Sequence, residues 1–252
     1  MMDSNDYIFG IHSVIEAIEA DRTIDKLFIK KDLHGELAVR LSNLAKERGI
    51  PVQRVPVEKL NKITRKNHQG VVAMIAAVAY YKIADLVPTM FEDGILPFIL
   101  VLDGITDVRN FGAIARTAEC CGVNAIVIPS KGSVSVGADA VKTSAGALLH
   151  IPVCKEDSLS KAVSYLRECG CQLVCSTEKS SINYTTADFT TPVALVMGAE
   201  DTGISNDILR MSDTRVAIPM FGRIGSLNVS VAAGVMMYEV VRQRLANNID
   251  IE

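Results

Sequence analysis

The stretch Phe98-Ile-Leu-Val-Leu102 is apolar at five consecutive positions, and Val193-Ala-Leu-Val-Met197 repeats this pattern further along the chain. A strand with one face in water alternates apolar and polar residues, whereas these two runs present no polar side chain to either face. They are typical of strands buried on both sides. They therefore predict an α/β fold in which helices cover a parallel sheet.

Short apolar runs alternate with segments of helical periodicity over residues 98–252 and, on a smaller scale, over residues 1–80. In the larger segment the predicted strands are 98–102, 125–128, 172–175, 193–197 and 215–218, and the predicted helices are 110–121, 138–148, 158–169, 206–211 and 226–245. In the smaller segment the predicted strands are 25–30, 50–55 and 70–78, and the predicted helices are 12–20, 33–44 and 57–63. Residues 81–97 contain Pro88, Gly94 and Pro97 among scattered acids, and are predicted to be a linker.

The composition excludes several classes of protein. Of the 252 residues, 49% are hydrophobic and 22% are charged, which excludes a disordered or fibrous chain. The longest mostly apolar stretch, 70–81, is too short to cross a bilayer, and Met1-Met2-Asp3-Ser4 lacks the features of a signal peptide. The six cysteines form no metal-spaced CxxC pair, so we expect reduced thiols, a cytoplasmic protein and no bound metal.

The seventeen glycines exclude the common nucleotide-binding loops. No two of them are separated by a single residue, so the chain has neither a GxGxxG fingerprint nor the glycine-rich loop of ordinary Rossmann-type methyltransferases. The segment Gly198-Ala-Glu-Asp-Thr-Gly203 begins like a P-loop, but Ile204 stands where a P-loop requires lysine. A cofactor would therefore need a site other than these glycine-rich loops.

Polar residues cluster in three loops, each of which directly follows a predicted strand. The loops begin at Asp103, Gly198 and Pro219. Ligands of open α/β sheets bind beyond the carboxyl ends of the strands, so we expect the three loops to meet at one site. Asn110 and Ser226 in these loops also suit a plain helix cap.

These loops resemble the three motifs of the SpoU branch of the SPOUT methyltransferases, which are trefoil-knotted RNA ribose 2′-O-methyltransferases. The matching segments are Asn110-Phe-Gly-Ala-Ile-Ala-Arg116, Met197-Gly-Ala-Glu-x-x-Gly-Ile-Ser205 and Ile218-Pro-Met-x-Gly-x-x-x-Ser-Leu-Asn-Val-Ser-Val-Ala232. The resemblance covers residues 98–252 and implies a knotted SPOUT domain, S-adenosylmethionine as cofactor and a homodimer. Asp201 departs from the family pattern, in which glycine is more common.

The N-terminal segment resembles the L30e-like RNA-recognition domain of RlmB-type enzymes. The resemblance rests on Phe9-Gly-Ile-His-Ser-Val14 and Asn67-His-Gln-Gly-Val-Val72. Enzymes of this type modify a guanosine of large-subunit (23S) ribosomal RNA, whereas the TrmH-type tRNA-modifying relatives lack the domain. The resemblance thus implies a substrate-binding domain at 1–80, a linker at 81–97 and a methyltransferase domain at 98–252. We expect His68 to pack or to form a turn.

The resemblance assigns two sets of residues to methyl transfer from S-adenosylmethionine to a ribose 2′-hydroxyl. The residues expected to line the cofactor pocket are Thr177, Gly198, Ile218 and Leu227, and those expected to act in catalysis are Asn110, Arg116, Glu200, Ser226 and Asn228. A guanidinium, with a pKa of about 12.5–13.8, cannot accept a proton, so we expect Arg116 to hold a phosphate and stabilise the developing alkoxide. Asn110 and Glu200 are expected to position Arg116, a neighbouring loop or the substrate. Ser226 and Asn228 are expected to open the last helix and contact the substrate.

A basic cluster is the candidate RNA contact. The segment from Arg54 to Lys66 contains five basic residues and one acid, although the whole chain carries a net charge of −3. The predicted RNA-binding residues are Arg54, Lys62, Arg65, Lys66 and Arg109, of which the last four are expected to share a face with Arg116. A simple solvated face is the plainer interpretation. Methylation of tRNA or of another ribosomal nucleotide, and a non-catalytic role in ribosome assembly, remain alternatives.

Overall fold

A computed structural model describes residues 7–249, which divide into two compact units. The first unit contains the residues up to 79 together with 135–139, and the second contains 80–134 and the residues from 140 onward. The predicted lack of a signal peptide concerns residues 1–4, which lie outside the described residues.

The first unit is a four-stranded sheet with helices on both faces. Its elements are β1 (Tyr7–Phe9), α1 (Ile11–Glu19), β2 (Ile24–Lys30), α2 (Glu36–Glu47), β3 (Val52–Val55), α3 (Val57–Ile63) and β4 (Val71–Ile75). The strand order is β1-β4-β2-β3, in which β4 is antiparallel to both of its neighbours and β2 is parallel to β3. Every predicted helix and strand of this segment is present, whereas the three-residue β1 was not predicted.

Two apolar clusters hold this unit together. Helices α1 and α2 cover one face of the sheet, where Val14, Leu27 and Leu41 are fully buried. Helix α3 covers the other face, where Leu60 packs with Phe28. The two central strands, β2 and β4, are therefore largely buried on both faces.

The second unit is built on seven strands that are all parallel, in the order β11-β9-β10-β6-β7-β8-β5. The elements after residue 79 are β5 (Tyr80–Tyr81), α4 (Ile83–Glu92), β6 (Phe98–Asp103), α5 (Val108–Cys120), β7 (Ala125–Pro129), α6 (Ala138–Thr143), β8 (Val153–Glu156), α7 (Leu159–Glu168), β9 (Gln172–Ser176), β10 (Val193–Gly198), α8 (Asn206–Met211), β11 (Thr214–Val216) and α9 (Val229–Ala246). The α/β fold with a parallel sheet is thus confirmed. The knot implied by the resemblance stays a prediction.

The two strands that indicated this fold occupy the middle of the sheet. Residues 98–102 of β6 and 193–196 of β10 are completely buried, and the two strands pair directly. Neighbouring side chains of a strand point to opposite faces of the sheet, and a layer of helices covers each face. Consecutive apolar residues are therefore needed.

The prediction of a linker at 81–97 is wrong. Tyr80 and Tyr81 pair with β8 at the edge of the sheet, and α4 follows at once. Ile83, Val87 and Met90 lie at helical spacing and are buried in the core of the second unit. The misleading signal was Pro88, which the helix contains in its interior.

Several other boundaries also differ from the prediction. The helix predicted at 138–148 stops at Thr143, because the chain turns through Gly146 (φ 90°) into a short 3₁₀ turn. The predicted strand 215–218 is β11, which ends at Val216. The strand β8 was not predicted. The last helix begins at Val229 rather than at Ser226.

The described residues also bear on membranes and metals. Within 7–249 no helix is long and apolar enough to span a bilayer. The same residues contain no group of three or more histidine, cysteine or acidic side chains arranged to hold a metal ion. All six cysteines are free thiols.

Candidate active site

The ends of four parallel strands lie side by side at one edge of the large sheet. Gly198 at the end of β10 pairs with Asp103 at the end of β6. Ser176 at the end of β9 pairs with Met197 on one side and with Val216 of β11 on the other. The loops that follow these strands therefore start from neighbouring points, which brings the three polar loops together as predicted.

A pocket lies among the loops that follow β9, β10 and β11. Its lining contains all four predicted cofactor residues and two of the predicted catalytic ones, namely Thr177, Gly198, Ile218, Leu227, Glu200 and Ser226. Ser176, Glu178 and Met220 also line it, and the sequence did not indicate these three. The space inside is about 100 Å³, whereas small-molecule sites usually offer about 300–1,000 Å³. The enclosed space therefore holds only part of a cofactor-sized ligand.

Gly198 is required by close packing of the backbone. A Cβ atom at this position would lie 2.2 Å from the carbonyl carbon of Gly203 and 2.3 Å from the nitrogen of Ile204. The loop turns back here, because the Gly203 N–H donates to the Ala199 carbonyl over 2.8 Å. Asp201 is exposed in this turn. The turn therefore closes with aspartate at the position where the family more often has glycine.

Asp103 fixes the start of the same loop region and was missed from the sequence. Its Oδ2 accepts a hydrogen bond of 2.7 Å from the backbone N–H of Ser205. This contact joins the end of β6 to the end of the loop that follows β10. The sequence signal that could have identified Asp103 is its position directly after the apolar run 98–102.

A second cleft of about 440 Å³ adjoins the pocket and shares Ala199, Glu200 and Val229 with it. Asn110 contributes to its wall. The carboxylates of Asp107, Glu200 and Asp201 also line this cleft, and no described lysine or arginine does. Such a wall suits hydroxyl groups as hydrogen-bond donors, while a phosphate would need a cation from elsewhere.

Asn110 and Asn228 are in direct contact. The Asn228 Nδ2 group donates to Asn110 Oδ1 over 3.1 Å, and Asn228 Oδ1 caps α9 by accepting from the Ser230 N–H at 3.0 Å. Asn110 is not a helix cap, because Asp107 caps α5 and accepts from the Asn110 N–H. Ser226 is not a cap either, since it lies three residues before α9. The side chain of Asn110 therefore holds the start of α9. It does not hold Arg116.

Arg116 stands apart from the other predicted catalytic residues. It is exposed on α5, and it makes no hydrogen bond or ion pair with any residue of the described chain. It follows Asn110 by six positions, so the two side chains leave the helix about 120° apart. Arg109 lies seven positions before Arg116, on the same exposed side of α5.

The predicted RNA-binding residues of the first unit are all exposed. Lys62, Arg65 and Lys66 follow one another along the end of α3 and the next loop, and Arg54 lies on β3. Among the described residues none of these four pairs with a carboxylate. That these residues share a face with Arg109 and Arg116 of the second unit stays a prediction.

The two N-terminal motifs hold each other in place. His68 is buried; its Nδ1 accepts from the Gly70 N–H at 3.0 Å, and its Nε2 lies 3.0 Å from Asn61 Oδ1. The side chain of Gln69 accepts from the Ile11 N–H at the start of α1. As expected, His68 packs and forms a turn.

Comparison with known proteins decides the family. The sequence profile described as "SpoU rRNA Methylase family" matches residues 97–238, more than half of the chain. The chain belongs to this SpoU family. A second profile, "RNA 2'-O ribose methyltransferase substrate binding", matches residues 7–81. The SpoU family methylates the ribose 2′-hydroxyl of RNA with S-adenosylmethionine, so the expected enzyme class and cofactor are confirmed.

Individual relatives agree with this family. YacO of Bacillus subtilis (strain 168), named for the TrmH family of tRNA/rRNA methyltransferases, is 37% identical over 97% of this chain and 98% of its own length. An AdoMet-bound rRNA methyltransferase from Sinorhizobium meliloti is 26% identical, with a TM-score of 0.58 over 94% of this chain and 87% of its own. The SpoU methyltransferase AviRb from Streptomyces viridochromogenes has the same fold, with a TM-score of 0.60 at 24% identity over 95% of this chain and 90% of its own.

Proposed function

We propose that this SpoU enzyme methylates the ribose 2′-hydroxyl of a guanosine in 23S ribosomal RNA. The observation that carries this proposal is the substrate-binding unit at residues 7–81, which precedes the methyltransferase domain. By resemblance, RlmB-type enzymes have such a unit and TrmH-type tRNA enzymes do not. We assign residues 1–80 to RNA binding and residues 98–252 to methyl transfer.

The cofactor residues fit S-adenosylmethionine. Gly198 lets the backbone come close to the ligand, while Ile218 and Leu227 offer an apolar wall for the adenine and Thr177 offers a hydroxyl. Bound in this pocket, S-adenosylmethionine supplies a methyl group on a sulfonium, which is a good leaving group. The protein's task is to orient the acceptor ribose and to assist the loss of its proton.

The acceptor ribose is assigned to the neighbouring cleft. Glu200 lies on the wall shared with the pocket, where its carboxylate accepts a hydrogen bond from a ribose hydroxyl. Asn110 has its amide N–H groups free of partners among the described residues, so it donates into the same cleft. Ser226 lies on the pocket side, where its hydroxyl holds the substrate. Asn228 fixes Asn110 and the start of α9.

Arg116 is assigned to the partner subunit's site within a homodimer. The carboxylate-lined cleft needs a cation to hold a phosphate, and the chain's own Arg116 lines neither cavity. An arginine reaching in from a second copy provides this cation and stabilises the alkoxide as the hydroxyl passes its proton to water or to a phosphate oxygen. The RNA itself is held by Arg54, Lys62, Arg65, Lys66 and Arg109, and the enzyme acts in the cytoplasm.

The target is tested by mapping the product. Protein, labelled S-adenosylmethionine and unmodified 23S rRNA or tRNA are incubated together, and the labelled nucleotide is located. Label on one ribosomal guanosine ribose is the expected result, and Arg116→Ala removes it. Label on tRNA or on another ribosomal nucleotide would overturn the assigned target. Cofactor binding without label on any RNA would favour a non-catalytic role in assembly.

A further inference from the structure

The loop between β11 and α9 presents two kinds of side chain. Ile218, Met220 and Leu227 turn inward and line the cofactor pocket. Between them, Phe221 is 98% exposed and Ile224 is 78% exposed. The crest of the loop is thus apolar and faces solvent directly beside the pocket.

Phe221 is exceptional among the aromatic residues of the described chain. The next most exposed phenylalanine is Phe91, at 41%, while Phe98, Phe111 and Phe189 are fully buried. Single exposed apolar residues are ordinary, but two of them three positions apart at the rim of a ligand pocket indicate a binding surface. An exposed arginine, Arg223, lies between them and pairs with no described carboxylate.

We propose that Phe221 stacks on a base of the RNA strand at the methylated ribose and that Arg223 contacts the adjacent phosphate. This inference rests on the proposed function, because it requires the acceptor nucleotide to lie at this pocket. Methyl transfer demands that the ribose reach the cofactor pocket, and these two side chains belong to a loop that lines this pocket through Met220 and Gly225. An aromatic ring with a neighbouring guanidinium is the usual combination for single-stranded RNA.

Charge favours RNA over the other possible occupants of this crest. S-adenosylmethionine carries a sulfonium and an amino group against one carboxylate, so it is net positive, and Arg223 would repel it. The nearby acids Glu178, Glu200 and Asp201 belong to the pocket and cleft walls and leave Arg223 unpaired. A polyanion such as RNA supplies a negative charge that pairs with Arg223. No position on a second copy of this chain is known to supply such a charge.

A tryptophan at this position would report on stacking, because the chain contains no tryptophan of its own. With Phe221→Trp, we expect unmodified 23S rRNA to quench the emission, whereas S-adenosylmethionine alone leaves it unchanged. The matched control is Phe91→Trp, whose emission stays constant. RNA that is retained with the protein on a filter without quenching Phe221→Trp would overturn the proposal. So would emission that depends on protein concentration before RNA is added, because a second copy would then cover the crest.

Substitutions at Phe221 separate stacking from apolar packing. Phe221→Ala is expected to lower kcat/KM for RNA by about tenfold to a hundredfold, the usual effect of losing one stacked base. Phe221→Tyr should retain most of the activity and Phe221→Leu should not, because only a ring stacks. S-adenosylmethionine affinity by calorimetry and the oligomeric state should both stay unchanged. An active Phe221→Leu, weaker cofactor binding or a dissociated oligomer would each overturn the proposal.

The two proposals fail in different ways. If the unsubstituted protein methylates tRNA instead of 23S rRNA, the assigned target is wrong, and tRNA then becomes the probe for Phe221→Trp. If it methylates 23S rRNA but Phe221→Ala does so equally well, the stacking role alone is wrong. Binding of neither RNA would overturn both.

Discussion

Asn228 donates a hydrogen bond from its side-chain amide to Asn110 Oδ1 over 3.1 Å, across 118 positions of sequence. The same Asn228 side chain caps α9 through its oxygen. One residue thus fixes the start of the last helix and ties it to the helix that follows β6. This contact occupies Asn110 Oδ1, while the amide N–H groups of Asn110 have no hydrogen-bond partner among the described residues.

The two functions of Asn228 can be separated by substitution. Asn228→Ser keeps a good helix cap but is too short to reach Asn110, so we expect stability within about 0.5 kcal/mol of the original and a large loss of methyl transfer. Asn228→Ala also loses the cap and should cost about 1 kcal/mol in addition. Urea unfolding and initial methylation rates measure both effects. Full activity in Asn228→Ser would show that the contact does not position Asn110.

Replacing Gly198 tests the close packing at the end of β10. With only 2.2 Å available to a Cβ, Gly198→Ala forces the backbone apart, so we expect a loss of about 1–3 kcal/mol and much weaker S-adenosylmethionine binding. The control is Gly234→Ala within α9, where an added Cβ lies 3.8 Å from Thr117. That change should leave cofactor affinity unchanged and stabilise the helix by about 0.5–1 kcal/mol. Equal S-adenosylmethionine affinities of the two variants, measured by calorimetry, would refute this account of Gly198.

The sequence predicted the central sheet and the meeting of the loops because both depend on local patterns. The buried strands β6 and β10 need consecutive apolar residues, and parallel strands place their following loops at one edge. The segment 81–97 was misjudged because Pro88 is a strong local signal, whereas the buried contacts of Ile83 and Val87 depend on distant strands.

The site was predictable in its residues but not in its contacts. Motif resemblance named Asn110 and Asn228, yet their hydrogen bond depends on how α5 and α9 pack. Asp103 was missed because its partner is a backbone N–H a hundred positions away, which no sequence pattern records. The separation of Arg116 from Asn110 follows from helix geometry once the start of α5 is known.

The basic cluster of the first unit should contribute to RNA affinity. Lys62→Glu with Arg65→Glu reverses two unpaired exposed charges, so we expect weaker 23S rRNA binding and a slope of log affinity against log salt that is smaller by about 2. Arg22→Glu with Lys46→Glu makes the same change in net charge elsewhere on the unit and should have little effect. Filter binding at several salt concentrations measures both pairs. Equal slopes for the two pairs would remove the cluster from the proposed RNA surface.

Buried thiols make the stability of the second unit sensitive to alkaline pH. Burial raises the pKa of Cys175 and Cys154 to about 12 and that of Cys171 to about 11, from an ordinary value of 9.0. Below pH 9 these thiols are protonated in both states, so folding stability is unaffected. Above pH 9 the unfolded chain ionises while the folded one does not, so stability falls by about 1.4 kcal/mol per pH unit and thiol up to the folded pKa.

Thermal unfolding between pH 8 and pH 11 tests this dependence. We expect the unfolding temperature to fall steeply above pH 9, and Cys175→Ala to reduce the steepness by the share of one thiol. The unsubstituted protein is the reference. Identical slopes for it and for Cys175→Ala would contradict a buried, protonated Cys175 thiol.

Mixed dimers decide whether Arg116 acts across a subunit interface. Arg116→Ala and Glu200→Ala should each be inactive alone, because each removes one component from both sites of the proposed symmetric dimer. In a mixed dimer, the Arg116→Ala chain has an intact pocket that receives Arg116 from the other chain, so one site is complete. Random mixing should then restore about a quarter of the original activity. An arginine acting within its own chain would leave both sites of the mixed dimer defective, and no activity would return.

Labelled S-adenosylmethionine and 23S rRNA provide the assay, and differently tagged chains allow the mixed dimer to be purified. Activity in the purified mixed dimer would support the assignment of Arg116 to the partner subunit's site.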